Sequence, residues 1–289
     1  MKMSLTLLSV LLLQQLLGAL AFPAAKYGLM VIEPFTFAFY RFVISSIVLL
    51  AIVRFRGNIK PVEKKDYLKI IGLGFVIIPF NQTAYLYGQK LTGAGHGSLL
   101  FATVPLWIFL GALIFIKEKF NFRRAFGVVL GLIGIVIIMS SGTIELGSEY
   151  LLGDLIILLA VIAWAAYTVF GKSLVVKYGA FRVTAYALAS GSAMYFPFGL
   201  YQAVKFDYST TTSAAWMSVL YMAFGVSIAA YVLWYWLLKY LAATRIAVFH
   251  NIQPVIATLV AYIFLNEAIG WPFVIGGIIV LAGVIITEI

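Results

Sequence analysis

The chain has 289 residues, of which 64% are hydrophobic and only 10% charged, with a formal net charge of +10. A soluble domain is nearer half apolar and a quarter charged, and too little polar surface exists here to cover one. A water-soluble enzyme, a disordered chain and a fibrous protein are therefore excluded, and a polytopic membrane protein remains. Cysteine is absent, so disulfides and thiolate metal sites are excluded as well.

Apolar windows predict ten transmembrane spans, near 4–25, 34–53, 67–88, 95–116, 125–140, 154–172, 181–203, 214–238, 245–265 and 271–288. A crossing needs about 20 apolar residues, so ten crossings with short loops use the whole length. The fifth window is short for a full crossing. The first imitates a secretory signal, with Lys2, an apolar run and Ala19-Leu20-Ala21. The repeat described below needs it as a retained helix.

With a cytoplasmic N-terminus, sixteen of the twenty Lys and Arg fall on the cytoplasmic side, among them Lys64, Lys65, Lys117, Arg124, Lys172, Lys177 and Lys239. Lys26, Lys90 and Lys205 fall outside, and Arg41 lies within the second span. That asymmetry follows the positive-inside rule and places both termini in the cytoplasm. The basic surplus is thus an orientation signal, and no nucleic-acid partner is implied.

The two halves, 1–146 and 147–289, repeat one another. At an offset of 149, Lys90 meets Lys239, Pro105 meets Pro254, Glu118 meets Glu267, Gly127 meets Gly276 and Gly134 meets Gly283. Earlier in the chain the offset is 146, where Lys26 meets Lys172 and Tyr40 meets Tyr186. Each half has an odd number of spans, so the second must insert upside down. The fold class expected is an all-α membrane protein of two inverted five-helix repeats, an architecture found in secondary transporters.

These features resemble the drug/metabolite transporter superfamily, of the EamA type. In each half a Pro-bearing span leads to a Glu and then to a Gly-rich closing span: Pro105, Glu118, Gly127 and Gly134, then Pro254, Glu267, Gly276 and Gly283. The Arg41-Phe42 pair fits too. The resemblance covers essentially the whole chain. It implies transport of a small metabolite through a central cavity between the halves, lined by the third, fourth, eighth and ninth spans with parts of the first and sixth. The family includes exporters of amino acids and of other small metabolites.

The residues offer their own site. Proline cannot bond the carbonyl four residues earlier, so Pro105 and Pro254 should free those of Phe101 and His250 near mid-membrane, making two hinges. A plain kink packed against neighbours is the alternative. His250, Asn251 and Gln253 crowd the second break, where polar side chains are costly unless used. They could equally bond other helices. Asn81, Gln82 and Tyr85 in the third span face repeat counterparts Ala230, Tyr231 and Trp234 in the eighth. With Trp164 and Tyr167 in the sixth, they suggest a cavity with one polar and one aromatic wall, suited to an amphipathic solute. Core packing or interface belts are the bland reading, and Trp216 and Trp271 are read as belts.

Gln14 and Gln15 lie midway along the first span. Arg41 and Glu267 form a candidate gate pair on the outer side, though a structural role for both is the simpler reading. Glu118 reads as a helix-end anchor. Gly93-Ala94-Gly95-His96-Gly97-Ser98 lacks the strand–turn–helix context of a phosphate loop, and Gly171-Lys172-Ser173 lacks the first Walker glycine, since Ala166 stands there.

No HExxH or GxSxG is present, so no hydrolase is read, and no cofactor is implied. The expectation is an alternating-access carrier in the cytoplasmic membrane, working as an exporter. His250 could couple transport to protons; uniport is the equal alternative. A channel-like facilitator and a non-transporting sensor or scaffold are the competing readings.

Overall fold

With no water to bond exposed peptide groups, an apolar run of this length in a bilayer must satisfy its backbone internally, and helices do so. The computed structural model describes residues 4–55, 61–91, 100–139, 150–253, 255–256, 259 and 271–288, and no strand occurs among them. A helix lies in each of the ten predicted windows. The protein is an all-α polytopic membrane protein.

The first window is α1 (Leu5–Ala19) followed after Leu20 by α2 (Ala21–Leu29), with the Ser4 hydroxyl capping Leu7 N–H. The stretch that imitates a cleavage site lies inside this helical pair, and Ala19 is fully buried. The second is α3 (Pro34–Phe55). Its start combines Pro at the first position with a Glu33 carboxylate accepting from Thr36 N–H at 2.9 Å.

The third window is α4 (Lys64–Phe75), a π-segment (Val76–Phe80) and α5 (Asn81–Leu91). Pro79 lies in the π-segment, where its missing N–H and its ring clash with an ordinary i−4 register. The eighth has the same plan, as α10 (Ser213–Tyr221), a π-segment (Met222–Ala230) and α11 (Tyr231–Tyr240). Shifted back by 149 residues, the second π-segment falls on 73–81 and contains the first.

The fourth window holds α6 (Val104–Phe115) and the fifth α7 (Phe122–Met139). The sixth and seventh are α8 (Leu151–Tyr178) and α9 (Ala180–Lys205). Only Gly179 separates them, at φ +85°, a left-handed conformation that glycine adopts without penalty. The ninth opens with α12 (Ala243–His250), and the tenth is α13 (Trp271–Glu288).

The expected helix breaks lie just before the prolines rather than at them. The chain turns at Thr103, and Pro105 occupies the first turn of α6, where its lost N–H has no intrahelical partner in any case. The carbonyl that gains side-chain bonding is Leu100's, which accepts from Thr103 Oγ1 at 2.6 Å and from Thr103 N–H at 3.0 Å. Likewise α12 ends at His250 and turns at Asn251. Pro254, Glu267 and His96 lie outside the described residues.

Two of the contacts between opposite halves involve helices that the repeat relates. Helices α7 and α13 run antiparallel with glycines face to face: a Cβ on Gly127 would sit 2.7 Å from the Gly283 carbonyl, and one on Gly134 2.6 Å from that of Gly276. The fifth window, short as it is, is thus packed backbone to backbone. Helices α3 and α9 meet at Ser46 and Ser192, whose hydroxyls are 2.8 Å apart; the two positions are 146 residues apart in the chain. Trp271 is exposed at the start of α13, as a belt residue should be. Trp216 instead packs edge-on against Tyr40 (5.0 Å) beside Tyr208, whose hydroxyl bonds that of Tyr40 at 2.9 Å.

Candidate functional site

Helices α8, α11 and α12 build an aromatic box. Tyr231, Trp234 and Tyr235 stand three and four residues apart and so share one face of α11. They meet Trp164 and Tyr167 of α8: Trp164–Tyr231 ring centroids are 5.1 Å apart, Trp164–Trp234 6.1 Å, and Tyr167 stacks on Tyr235 at 4.6 Å. His250, at the end of α12, stands edge-on to Trp234 at 6.0 Å. Trp234 donates its indole N–H to Thr168 Oγ1 at 3.1 Å, and the Tyr235 hydroxyl donates to the Tyr167 carbonyl at 2.9 Å. Gly171 makes the second bond reachable, since a Cβ there would lie 2.2 Å from the Tyr235 hydroxyl.

Three polar atoms of the box are sealed from solvent without a hydrogen-bond partner, Trp164 Nε1, the Tyr167 hydroxyl and His250 Nδ1. Burying an unpaired polar atom costs about 1–3 kcal/mol, which is why such atoms are rare and informative.

The three polar residues of the ninth span do not share a face, because neighbours on a helix point about 100° apart. Only His250 joins the box. Asn251 turns to α7, where its amide fills the space that a Cβ on Gly131 would take, 2.0 Å away, and both amide atoms are unpartnered. Gln253 turns to α1, donating to Gln15 Oε1 at 2.9 Å, and Gln15 donates to Gln14 Oε1 at 2.8 Å. Gly18 admits it, since a Cβ there would lie 2.4 Å from Gln253 Nε2.

The predicted polar wall is likewise largely committed. Asn81 is buried and donates to the Ala160 carbonyl of α8 at 2.7 Å, and Gln82 donates to Asn81 Oδ1 at 2.9 Å. Tyr85 rests edge-on against Phe101 at 5.0 Å. These side chains tie α5 to α8 and to Phe101.

Arg41 turns inward instead of outward. Its Nε donates to Ser227 Oγ at 2.7 Å, in the middle of the second π-segment, and its guanidinium interacts with the Tyr231 hydroxyl. It therefore borders the aromatic box, and its described partners include no acid. Arg41 and Ser227 are 186 residues apart, so no local pattern could announce the pairing. Thr168, Ser227 and Tyr235 were not foreseen either; each lies one helical step from a foreseen residue.

At the end of the bundle that carries Lys172 and Lys177, two carboxylates bind separate elements together. Glu118, in the link between α6 and α7, accepts from Ala243 N–H at 2.7 Å, Thr244 Oγ1 at 2.9 Å and Lys172 Nζ at 2.6 Å. It caps α12, a helix of the other half, not the span that follows it. Arg124 donates to the same Thr244 hydroxyl at 2.9 Å. Burial opposes the charge on Glu118, but the Lys172 ammonium and the Ala243 amide outweigh it and hold the carboxyl below its ordinary value of 4.5. Nearby, Asp66 accepts from Lys177 at 2.8 Å and from the Tyr178 hydroxyl at 2.7 Å, tying α4 to α8.

The EamA-like transporter family matches this chain twice, over residues 5–140 and 151–289. The chain belongs to that family. This transporter is 32% identical over 283 residues to a protein of Archaeoglobus fulgidus named "uncharacterized transporter", covering 96% of each chain. It is 25% identical to a "probable terminal-alkyne amino-acid exporter" of Streptantibioticus cattleyicolor, over 93% of this chain and 88% of that one. It is 24% identical to an "S-adenosylmethionine uptake transporter" of Rickettsia prowazekii, over 82% and 76%. A solved crystal structure shares the fold at TM-score 0.83 and 18% identity, covering 97% of this chain and 96% of that one.

Proposed function

We propose that this transporter is a secondary carrier that exports a small amphipathic metabolite, amino-acid-like or with an aromatic face, across the cytoplasmic membrane by alternating access. The observation that carries the reading is the aromatic box, with Trp164 Nε1 and His250 Nδ1 unpartnered inside it. Ligand pockets combine such apolar walls with a few polar groups held ready. The names of two relatives, an amino-acid exporter and an S-adenosylmethionine uptake transporter, support a substrate of this class.

Alternating access draws support from the repeat. Residues 1–146 and 147–289 are read as inverted halves, with the Lys172 end cytoplasmic. The Ser46–Ser192 bond joins positions that the repeat relates, and the glycine seam pairs two related positions crosswise. Glu118, Lys172 and Ala243, which close the cytoplasmic end, correspond by the same offsets to Glu267, Lys26 and Ala94. The proposed cycle releases the Glu118 latch as the other end shuts. The hinges lie at the turns before Pro105 and Pro254, and the paired π-segments supply compliance beside the site.

The test is flux in proteoliposomes with radiolabelled aromatic and aliphatic amino acids and their amine analogues. Saturable counterflow is expected, with Trp164→Ala and His250→Ala each weakening it. An absence of saturable flux for every solute would sink the reading. Flux with and without an imposed pH gradient separates proton-coupled transport from uniport.

A further inference from the structure

Arg41 is a charge without a counter-ion among the described residues. It lies on α3, 7% exposed, inside a membrane-spanning segment. Buried charges at such depth pair with an opposite charge or serve a functional site. Its partners are Ser227 Oγ at 2.7 Å, the Phe42 ring with its centroid 4.7 Å away, and the Tyr231 hydroxyl. None is an anion.

The acids with described partners are engaged elsewhere. Glu33 accepts from the Thr36 amide, Glu63 and Asp66 hold Lys177, and Glu118 holds Lys172. Ser227 takes only the Nε of Arg41, so the terminal nitrogens are left to the neutral Tyr231 hydroxyl and meet no described carboxylate. This end of the guanidinium lies toward Tyr231, on the side of the aromatic box. That planar fork is the part of arginine that matches a carboxylate.

The fork opens beside the aromatic box. Tyr231 bridges the two, touching Arg41 through its hydroxyl and Trp164 through its ring at 5.1 Å. Trp164 adds an unpartnered indole N–H to the same neighbourhood. A cation, a phenol and an indole donor thus stand along one edge of the otherwise apolar box.

We infer that the missing counter-ion is a carboxylate of the carried solute, gripped by the Arg41 fork and the Tyr231 hydroxyl while its apolar body lies against Trp164 and Trp234. This rests on the carrier reading above and narrows it to carboxylic acids and amino acids, with amines and organic cations rejected. Ser227 is a positioning residue: it takes the Nε proton and aims the fork. The π-segment presents it at the right height.

The experiment uses the full chain in proteoliposomes and in detergent, with L-phenylalanine, 3-phenylpropionate, phenylalaninamide and phenethylamine as probes. In the wild type, the two carboxylates should move saturably and the amide and amine poorly. Arg41→Gln should raise the half-saturation concentration for the carboxylates roughly tenfold or more, the usual effect of losing a charge-assisted bond, and leave the amide unchanged. Arg41→Lys should recover only part of the loss, since it restores the charge without the fork.

Tyr231→Phe keeps the ring and loses the hydroxyl, and should give a smaller loss confined to carboxylates. It serves as the test even if Arg41→Gln does not fold. Saturable flux without preference for the carboxylate, or equal losses for carboxylate and amide in both Arg41→Gln and Tyr231→Phe, overturns the assignment while leaving the carrier reading intact. No saturable flux for any probe overturns both.

Discussion

Tyr235 reaches the Tyr167 carbonyl only because position 171 has no side chain. Gly171→Ala should therefore push the phenol out of its stack and lower stability by about 1–3 kcal/mol, the usual cost of overpacking. Thermal melting in detergent checks this. Adding Tyr235→Phe removes the crowded oxygen and should recover part of the loss; strictly additive effects would count against the explanation. Residue identity was legible here, but direction was not. The sequence shows that polar groups crowd the ninth span. It does not show that Asn251 faces Gly131, that Gln253 faces Gln15, or that His250 alone reaches Trp234. Those directions depend on where the helix ends and turns, at Asn251, and on which glycines leave room nearby. Arg41 is the sharpest case. A charge within a span announces a site, but its partner, Ser227, belongs to the other half of the chain.

The elements themselves were easier to read. Long apolar runs leave the backbone no alternative to helix, and all ten windows hold one. Their interruptions were half legible. Pro79 and Pro105 mark two of them, yet the π-segment at Met222–Ala230 holds no proline, so nothing in its composition reveals it. The cap on α12 was visible only as an isolated carboxylate. Glu118→Gln should cost about 1–3 kcal/mol, because it leaves Lys172 without its counter-charge and weakens the grip on the Ala243 amide. The pH dependence has a definite sign. The Glu118 carboxyl is held below its ordinary 4.5, so its contribution is present above that pH and is lost as pH falls through the lowered value. The wild type should therefore lose its stability advantage over Glu118→Gln on acidification below about 4.5 in melts across a pH series. An advantage that persists at the lowest pH would contradict this origin.

At the scale of the whole molecule, the halves meet where side chains are smallest. Gly127, Gly134, Gly276 and Gly283 bring α7 and α13 into backbone contact, as small residues do between membrane helices. Gly134→Leu should force these helices apart and lower the melting temperature more than Gly72→Leu, because a Cβ on Gly72 meets nothing within 4 Å. Equal effects from the two substitutions would argue against the seam. Sequence spacing showed that these glycines recur, but not that they meet crosswise, Gly127 with Gly283 and Gly134 with Gly276, since an offset relates positions and not surfaces. The Ser46–Ser192 bond has a related consequence. Ser192 donates to the Phe42 carbonyl at 3.0 Å, so Ser46 donates within the pair, and exchange of the two helices would simply reverse these roles. In the proposed carrier such a fulcrum weighs neither scale: it holds the crossing point while contributing equally to both conformations. The preference for one side must then come from groups that the duplication did not copy, and Arg41, which faces Ala187 under the offset of 146, is one of them.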